Sequence, residues 1–207
     1  MHDSLTFVKN ISIEPPYAKI YHRLGYKKRT TQISVSQQKE AGRFIEQALS
    51  FITLQGSILR TTITKNDGEN IVLSGDLIFC SKKLSALLHG CSEALIMGAT
   101  AGCVITEAIR EKTAQNNLAA AVVYDATASE MADAALDWIM DYLNQQVRRE
   151  GKKILSRRFS AGYADFGLEN QKLIYQKLQM EKIGVTITPN FILLPEKSVT
   201  AITGICG

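Results

Sequence analysis

The fold and the ligand site of this chain are both indicated by one stretch, in which residues 157–166 read RRFSAGYADF, 183–189 read IGVTITP and 194–199 read LPEKSV. A short amphipathic segment at 168–180 separates the first two motifs. An arginine followed within a few residues by a glycine and a tyrosine suits a small ligand, because the guanidinium pairs with a carboxylate while backbone amides and a ring approach the remainder. The stretch therefore predicts a binding site.

Three motifs follow one another in a recognisable order. They are LGYK at 24–27, just before a predicted long helix, RFSAGY at 158–163, and TPNFILLPEKSV at 188–199. In this order they resemble the reactivation (activation) domain of cobalamin-dependent methionine synthase, whose ligand loop runs Arg-x-Ser/Ala-Pro-Gly-Tyr. The match is closest to the free-standing relatives of that domain, and it covers nearly the whole chain.

The resemblance implies a stand-alone reactivation subunit of a split methionine synthase. In that family the cobalamin is occasionally oxidised to inactive cob(II)alamin, a one-electron donor protein reduces it, and S-adenosylmethionine supplies the methyl group. The resemblance thus implies that this chain binds S-adenosylmethionine and that a cobalamin-binding methionine synthase subunit is its partner. The cofactors carry out the chemistry, so no conventional acid–base set of side chains is expected.

The resemblance also implies which residues contact the ligand. The loop residues implied in this way are Arg158, Ser160, Ala161, Gly162 and Tyr163. Arg158 suits the ligand carboxylate, and Tyr163 packs on the ligand or donates through its hydroxyl. Asp137 falls where the family places a ligand-binding glutamate and would pair with the ligand ammonium. Asp133, Asp137 and Asp141 recur at intervals of four, however, which is also typical of the solvated face of an amphipathic helix.

Departures from the family pattern keep a second hypothesis open. Ala161 and Gly167 stand where the family has prolines, and no aromatic residue follows Ser198 and Val199 before the chain ends. The loss of a proline leaves the loop freer, so that ordering it on binding costs more. These departures favour a docking protein that caps a corrinoid-binding partner and does not bind S-adenosylmethionine.

Composition bounds the class of protein. The 207 residues, 45% hydrophobic and 21% charged, are ordinary for a globular chain, and we expect one domain spanning 1–207. The net charge of +4 is mild, and the basic clusters at 27–29 and 148–153 lack the interleaved aromatic residues of a nucleic-acid groove. No apolar run approaches the roughly 20 residues of a membrane helix, and no signal pattern begins the chain. We expect a cytoplasmic protein with neither nucleic acid nor membrane as a partner.

Cysteine and histidine spacings indicate no metal or corrinoid site. The four cysteines are Cys80, Cys91, Cys103 and Cys206, and the three histidines are His2, His22 and His89. The cysteine spacings match neither a metal knuckle nor a compact disulfide framework, so we expect reduced, buried thiols. No Asp-x-His-x-x-Gly corrinoid motif occurs, and cobalamin is therefore expected on the partner chain.

The periodicity of apolar residues predicts the helices. They are expected at 17–24, 36 to about 55, 81–88, 103–115, 127 to about 150 and 168–180. Ser34 with Gln37, and Thr127 with Glu130, have the spacing of capping boxes and mark the starts of two of these helices. Residues 118–125 either extend the longest helix backward or form a separate turn, and the sequence does not decide between them.

The strand signals lie between and after these helices. Alternating residues at 58–64 and the run 70–73 flank Asn66-Asp67-Gly68, which predicts an antiparallel hairpin. The first 13 residues alternate weakly, 94–97 are apolar throughout, and 191–194 and 198–205 are strand-like. Helices and strands do not alternate regularly, so the predicted class is α+β, with long amphipathic helices packed on an antiparallel sheet.

Overall fold

The computed structural model describes residues 4–26, 31, 34–75 and 77–207. His2, Lys27 and the basic cluster at 27–29 lie outside these residues. The strands are β1 Ser4–Val8, β2 Gln55–Asn66, β3 Asn70–Leu73, β4 Leu77–Cys80, β5 Glu93–Thr100, β6 Lys153–Ile154, β7 Thr186–Ile187, β8 Leu193–Leu194 and β9 Ser198–Cys206. The helices are α1 Tyr17–Arg23, α2 Val35–Leu49, α3 Lys82–Leu87, α4 Cys103–Ala114, α5 Leu118–Arg148 and α6 Asn170–Leu178, followed by a 3₁₀ helix at Met180–Ile183.

One antiparallel sheet organises the chain, and the predicted α+β class is confirmed. Its strand order is β4-β3-β2-β5-β9-β6. The long strand β2 pairs along the same edge with two strands, its first half with β1 and its second half with β3. The strands β7 and β8 form a separate two-stranded hairpin. Every pairing in both sheets is antiparallel.

The central strand β5 is buried on both faces and divides the apolar core in two. Leu95 and Met97 belong to a cluster that packs against α1, α2, α4 and α5. Ala94 and Ile96 belong to a second cluster, which packs against α3, α6 and the 3₁₀ helix. Successive side chains of a strand point to opposite faces, so the sheet lies between two layers of helices.

The helix starts test the two predicted capping boxes. The first is confirmed, because the Ser34 hydroxyl accepts from the Gln37 amide and the Gln37 side chain accepts from the Ser34 amide. The second is wrong. The helix α5 begins at Leu118 behind an Asn117 cap, and the Thr127 hydroxyl donates to a carbonyl one turn back inside the helix. Residues 118–125 therefore extend the long helix.

The predicted hairpin between β2 and β3 is confirmed. The Asp67 carboxylate accepts from the Asn70 amide at 2.8 Å and from the Glu69 amide at 3.1 Å, and Gly68 takes φ +92°. Local side-chain bonds of this kind close the turn without help from the rest of the fold. The short strands β4 and β6 were not predicted, and the two residues of β6 are too few to show the period of a strand.

The expectation of reduced, buried cysteines is wrong. The structure records a disulfide between Cys91 and Cys206, and both Cys80 and Cys103 are exposed. The antiparallel register of β5 with β9 places Glu93 opposite Ile205, which brings the neighbouring cysteines together across 115 residues. Such a pairing has no signal in cysteine spacing. Within the described part of the chain, no helix has the length and hydropathy needed to cross a membrane.

Candidate functional site

The predicted ligand loop lies along the edge of β9. Phe159 exchanges both backbone hydrogen bonds with Ile202 at 2.8 Å, and the Ser160 hydroxyl donates to the Thr200 carbonyl at 2.7 Å. The Thr203 hydroxyl donates to the carbonyl of Arg157 at 2.7 Å. These bonds pair the beginning of the loop with a strand at the heart of the sheet, so the backbone around Arg158 is held by the sheet.

The far end of the loop is held by α3. The Asp165 carboxylate accepts from the Ser81 hydroxyl at 2.7 Å and from two backbone amides in the first turn of α3. The Ser81 hydrogen bond and these amides hold the pKa of the Asp165 carboxyl below its ordinary value. Phe166 is buried edge-on against Phe79, and Gly162 turns the chain at φ +89°. Tertiary contacts thus order a loop that lacks the family's prolines.

An open cleft with a volume of about 320 Å³ lies beside this loop, at the lower end of the range for small-ligand sites. Its walls come from the loop, from α5 and α6, and from the segment around β8 and the start of β9. Four of the predicted residues line the cleft: Arg158, Ser160, Ala161 and Tyr163. Gly162 forms the turn next to them, and Asp133 and Glu196 are the acidic residues of the lining.

Arg158 and Asp137, predicted to bind opposite ends of a ligand, are paired with each other. Nη1 of Arg158 donates to Oδ1 of Asp137, and Nη2 lies 3.6 Å from Oδ1 of Asp133. Nε of Arg158 has no hydrogen-bond partner among the described residues. Lys19 of α1 also reaches Asp137, at 3.0 Å. The structure therefore pairs the two predicted groups, but only Arg158 is among the residues that line the cleft, and the contact of either group with a ligand stays a prediction.

The two aspartates of this cluster differ in acidity. Burial raises the pKa of Asp137, but the hydrogen bonds and charges of Arg158 and Lys19 outweigh burial and leave that pKa below its ordinary value. Burial also raises the pKa of Asp133, and there the charge of Arg158 only partly opposes it, so that pKa lies above its ordinary value. One turn of helix thus separates a carboxylate held firmly in its charged form from one that protonates more readily.

Gln171 and Phe191 are among the cleft residues that the sequence did not predict. Gln171 of α6 is 6% exposed and lines the cleft, and its Oε1 accepts from the Thr200 hydroxyl at 3.0 Å. Phe191 lines the cleft as well. It lies just before β8, although the sequence predicts a strand over 191–194. A glutamine in an amphipathic helix and a phenylalanine in an apolar run carry no signal of a binding role, because only the packing of α6 and β8 brings them to the cleft.

Similarity to known proteins is found in the fold of this chain. No protein-family model matches the sequence, and no curated protein is significantly similar to it. The structure is similar to a crystal structure described as the MetH reactivation domain bound to AdoHcy, with a TM-score of 0.69 and 15% sequence identity. The alignment covers 97% of this chain and 78% of that one. The chain therefore has the α+β fold of the MetH reactivation domain.

Proposed function

We propose that this chain is a stand-alone reactivation subunit of a split cobalamin-dependent methionine synthase. It binds S-adenosylmethionine for the reductive methylation of cob(II)alamin carried by a partner chain. The observation that carries the proposal is the position of Arg158, beside an open cleft and on a loop held by β9. The fold is that of a domain whose crystal structure contains AdoHcy, which supports a ligand of the same chemical class here.

The amino-acid end of the ligand is a zwitterion, and the cluster around Arg158 offers a partner to each of its charges. The ligand carboxylate takes the guanidinium, whose Nε is unused among the described residues, and the ammonium takes the Asp137 carboxylate. Asp137 is about two-fifths exposed. A pair this exposed contributes only about 0–1 kcal/mol, so exchanging it for two ligand contacts costs little.

The rest of the loop places the ligand. Ser160 and Ala161 border the cleft, and Gly162 allows the chain to turn back without a side chain. Tyr163 is 67% exposed at the cleft and is free to pack on a ligand or on an approaching partner. The methyl transfer needs no acid or base from this chain, since one electron from the donor protein and a methyl cation from the sulfonium balance the change from cob(II)alamin to methylcobalamin and S-adenosylhomocysteine. The protein contributes orientation.

A docking protein without S-adenosylmethionine binding is the second candidate. It is favoured by the pair between Arg158 and Asp137, because the two groups predicted to bind the charges of the ligand are already bonded to each other. The absence of aromatic residues in the described strand β9 favours it as well. Under this alternative the ligand loop would serve only as a contact surface for the corrinoid-binding partner.

Reconstitution separates the two candidates. The chain is mixed with a cobalamin-binding methionine synthase subunit in the cob(II)alamin state, a one-electron donor and S-adenosylmethionine. We expect the absorption spectrum of methylcobalamin to appear, and neither chain alone should produce it. Partner binding with no change that depends on S-adenosylmethionine would favour the docking protein. The absence of partner binding would contradict both candidates.

A further inference from the structure

Gln171, a residue of the cleft wall, carries a buried hydrogen-bond donor that is unused. Its side chain is 94% buried, and Nε2 has no hydrogen-bond partner among the residues that the structure describes. Its Oε1 is held by the Thr200 hydroxyl, and the Thr200 carbonyl in turn accepts from Ser160 of the ligand loop. Buried donors in folded proteins are almost always paired, so an unpaired amide in a cleft wall points to a ligand that satisfies it.

Phe191 adds an aromatic ring to the same cleft at an unfavourable backbone position. Its φ of +63° lies in the left-handed region, which is strained for a bulky residue. The Phe191 amide donates to the Thr188 carbonyl at 2.9 Å, and the Ile192 amide donates to the Thr188 hydroxyl at 3.1 Å. These two bonds hold the tight turn that brings the ring into the lining.

We propose that Gln171 and Phe191 bind the adenine of S-adenosylmethionine, an inference that rests on the proposed function. Nε2 of Gln171 donates to a ring nitrogen of the base, and the Phe191 ring packs on its face. A neutral amide donor and an aromatic ring suit a flat, uncharged group that carries hydrogen-bond acceptors. The charges of the ligand are left to Arg158 and Asp137. The aromatic contact of the base is therefore Phe191, which lies just before β8 and not in β9.

The test uses a ligand that has only the nucleoside half. 5′-Methylthioadenosine carries the adenine and ribose but lacks the amino-acid end, so its binding does not depend on Arg158. By titration calorimetry we expect Gln171→Leu to weaken 5′-methylthioadenosine and S-adenosylmethionine by the same factor, about five- to tenfold. Phe191→Leu should weaken both by about tenfold. Arg158→Ala should weaken only S-adenosylmethionine.

Two further variants separate binding from folding. Gln171→Met keeps the length of the side chain and removes the donor without placing a charge in a buried site, so it should lose as much affinity as Gln171→Leu while remaining folded. Gln176→Leu is the matched control, because Gln176 is exposed on the same helix and does not line the cleft. It should bind both ligands like the unaltered chain, and thermal melting verifies that each variant is folded.

The outcomes distinguish this inference from the proposed function. If both Gln171 variants bind 5′-methylthioadenosine as tightly as the unaltered chain, or if the unaltered chain binds S-adenosylmethionine but not the nucleoside, the adenine assignment is overturned while reactivation can still occur. If the nucleoside binds through Gln171 but reconstitution shows no methylcobalamin, the adenine assignment stands and the proposed function is overturned. Binding of neither ligand overturns both.

Discussion

Arg60 and Arg158 each lie between two carboxylates, and of these two arginines Arg158 lines the cleft. Arg60 of β2 donates four hydrogen bonds to Glu93 and Glu150, and Lys152 completes a cluster with two charges of each sign. Arg158 donates one hydrogen bond to a carboxylate, and its Nε has no partner among the described residues. A guanidinium whose donors are nearly all used holds the structure together, whereas one with donors left over beside a cleft can accept a ligand.

The acidities of the surrounding groups follow the same contrast. The Arg60 hydrogen bonds lower the pKa of Glu93 against the opposing effect of burial, and they lower that of Glu150 to about 2. Every acid of the Arg60 cluster is thus held in its charged form. Around Arg158, by contrast, the pKa of Asp137 is lowered and that of Asp133 is raised. In the cluster at the cleft, burial therefore dominates at Asp133, whereas the charges and hydrogen bonds of Arg158 and Lys19 dominate at Asp137.

The largest effect is expected on stability, from Arg60→Ala. The change leaves the 5%-exposed Glu93 side chain with Lys152 as its remaining charge partner, and breaking a buried pair in this way costs roughly 3–5 kcal/mol. Urea unfolding near pH 7 measures the loss. Arg157→Ala is the control, because Arg157 is exposed and its loss should cost less than about 0.5 kcal/mol. Equal losses in the two variants would show that the Arg60 cluster contributes no more to stability than an exposed arginine does.

A smaller effect, on binding and not on stability, is expected from Arg158→Ala. The lost interaction is charge-assisted and directed at the ligand, so S-adenosylmethionine should bind more weakly by roughly 2–4 kcal/mol. The melting temperature should change little, because the pair is partly exposed, with 25% of the Arg158 side chain and 42% of the Asp137 side chain accessible to solvent. Titration calorimetry and thermal melting measure the two quantities. An early-melting variant with normal affinity would show that Arg158 is structural, like Arg60.

The smallest effect is expected from Asp137→Asn, which should weaken S-adenosylmethionine by roughly 1–2 kcal/mol. Under the proposed function Asp137 is the counter-charge for the ligand ammonium, and in the structure it accepts a hydrogen bond from Arg158. Asp133→Asn should cost less, since Asp133 lies 3.6 Å from Arg158 without a carboxylate hydrogen bond to it. If Asp133→Asn weakens binding more than Asp137→Asn does, the counter-charge for the ligand ammonium is Asp133, which lines the cleft. Negligible effects in both variants would show that Asp133, Asp137 and Asp141 form only the solvated face of an amphipathic helix.

The pH dependence of binding distinguishes the same two aspartates. An ordinary aspartate has a pKa of about 3.9, and protonation removes its charge. The pKa of Asp137 lies below its ordinary value, so affinity that depends on Asp137 should persist until the pH falls below about 4. The pKa of Asp133 lies above its ordinary value, so affinity that depends on Asp133 should already decline above about pH 4. Calorimetric titrations across this range show which profile holds.

Local chemistry explains which elements the sequence predicted. The capping box at Ser34, the hairpin turn around Asp67 and the apolar strand at 94–97 each depend on residues a few positions apart, and the structure confirms all three. The failures arose where tertiary packing overrides a local pattern. Thr127 resembled a helix cap but lies inside α5, and α2 ends at Leu49, earlier than predicted.

The sequence by itself determined the class of fold, because the periodicity of apolar residues is a property of neighbouring positions, and its resemblance to a known family made Arg158 and its loop candidates for ligand binding. Only the tertiary structure decided that Arg158 pairs with Asp137, that Gln171 is held by Thr200, and that an aromatic ring reaches the cleft just before β8. These contacts join elements whose distance is fixed by strand register and helix packing. No local pattern encodes such distances, since they result from burying two apolar cores on opposite faces of one sheet.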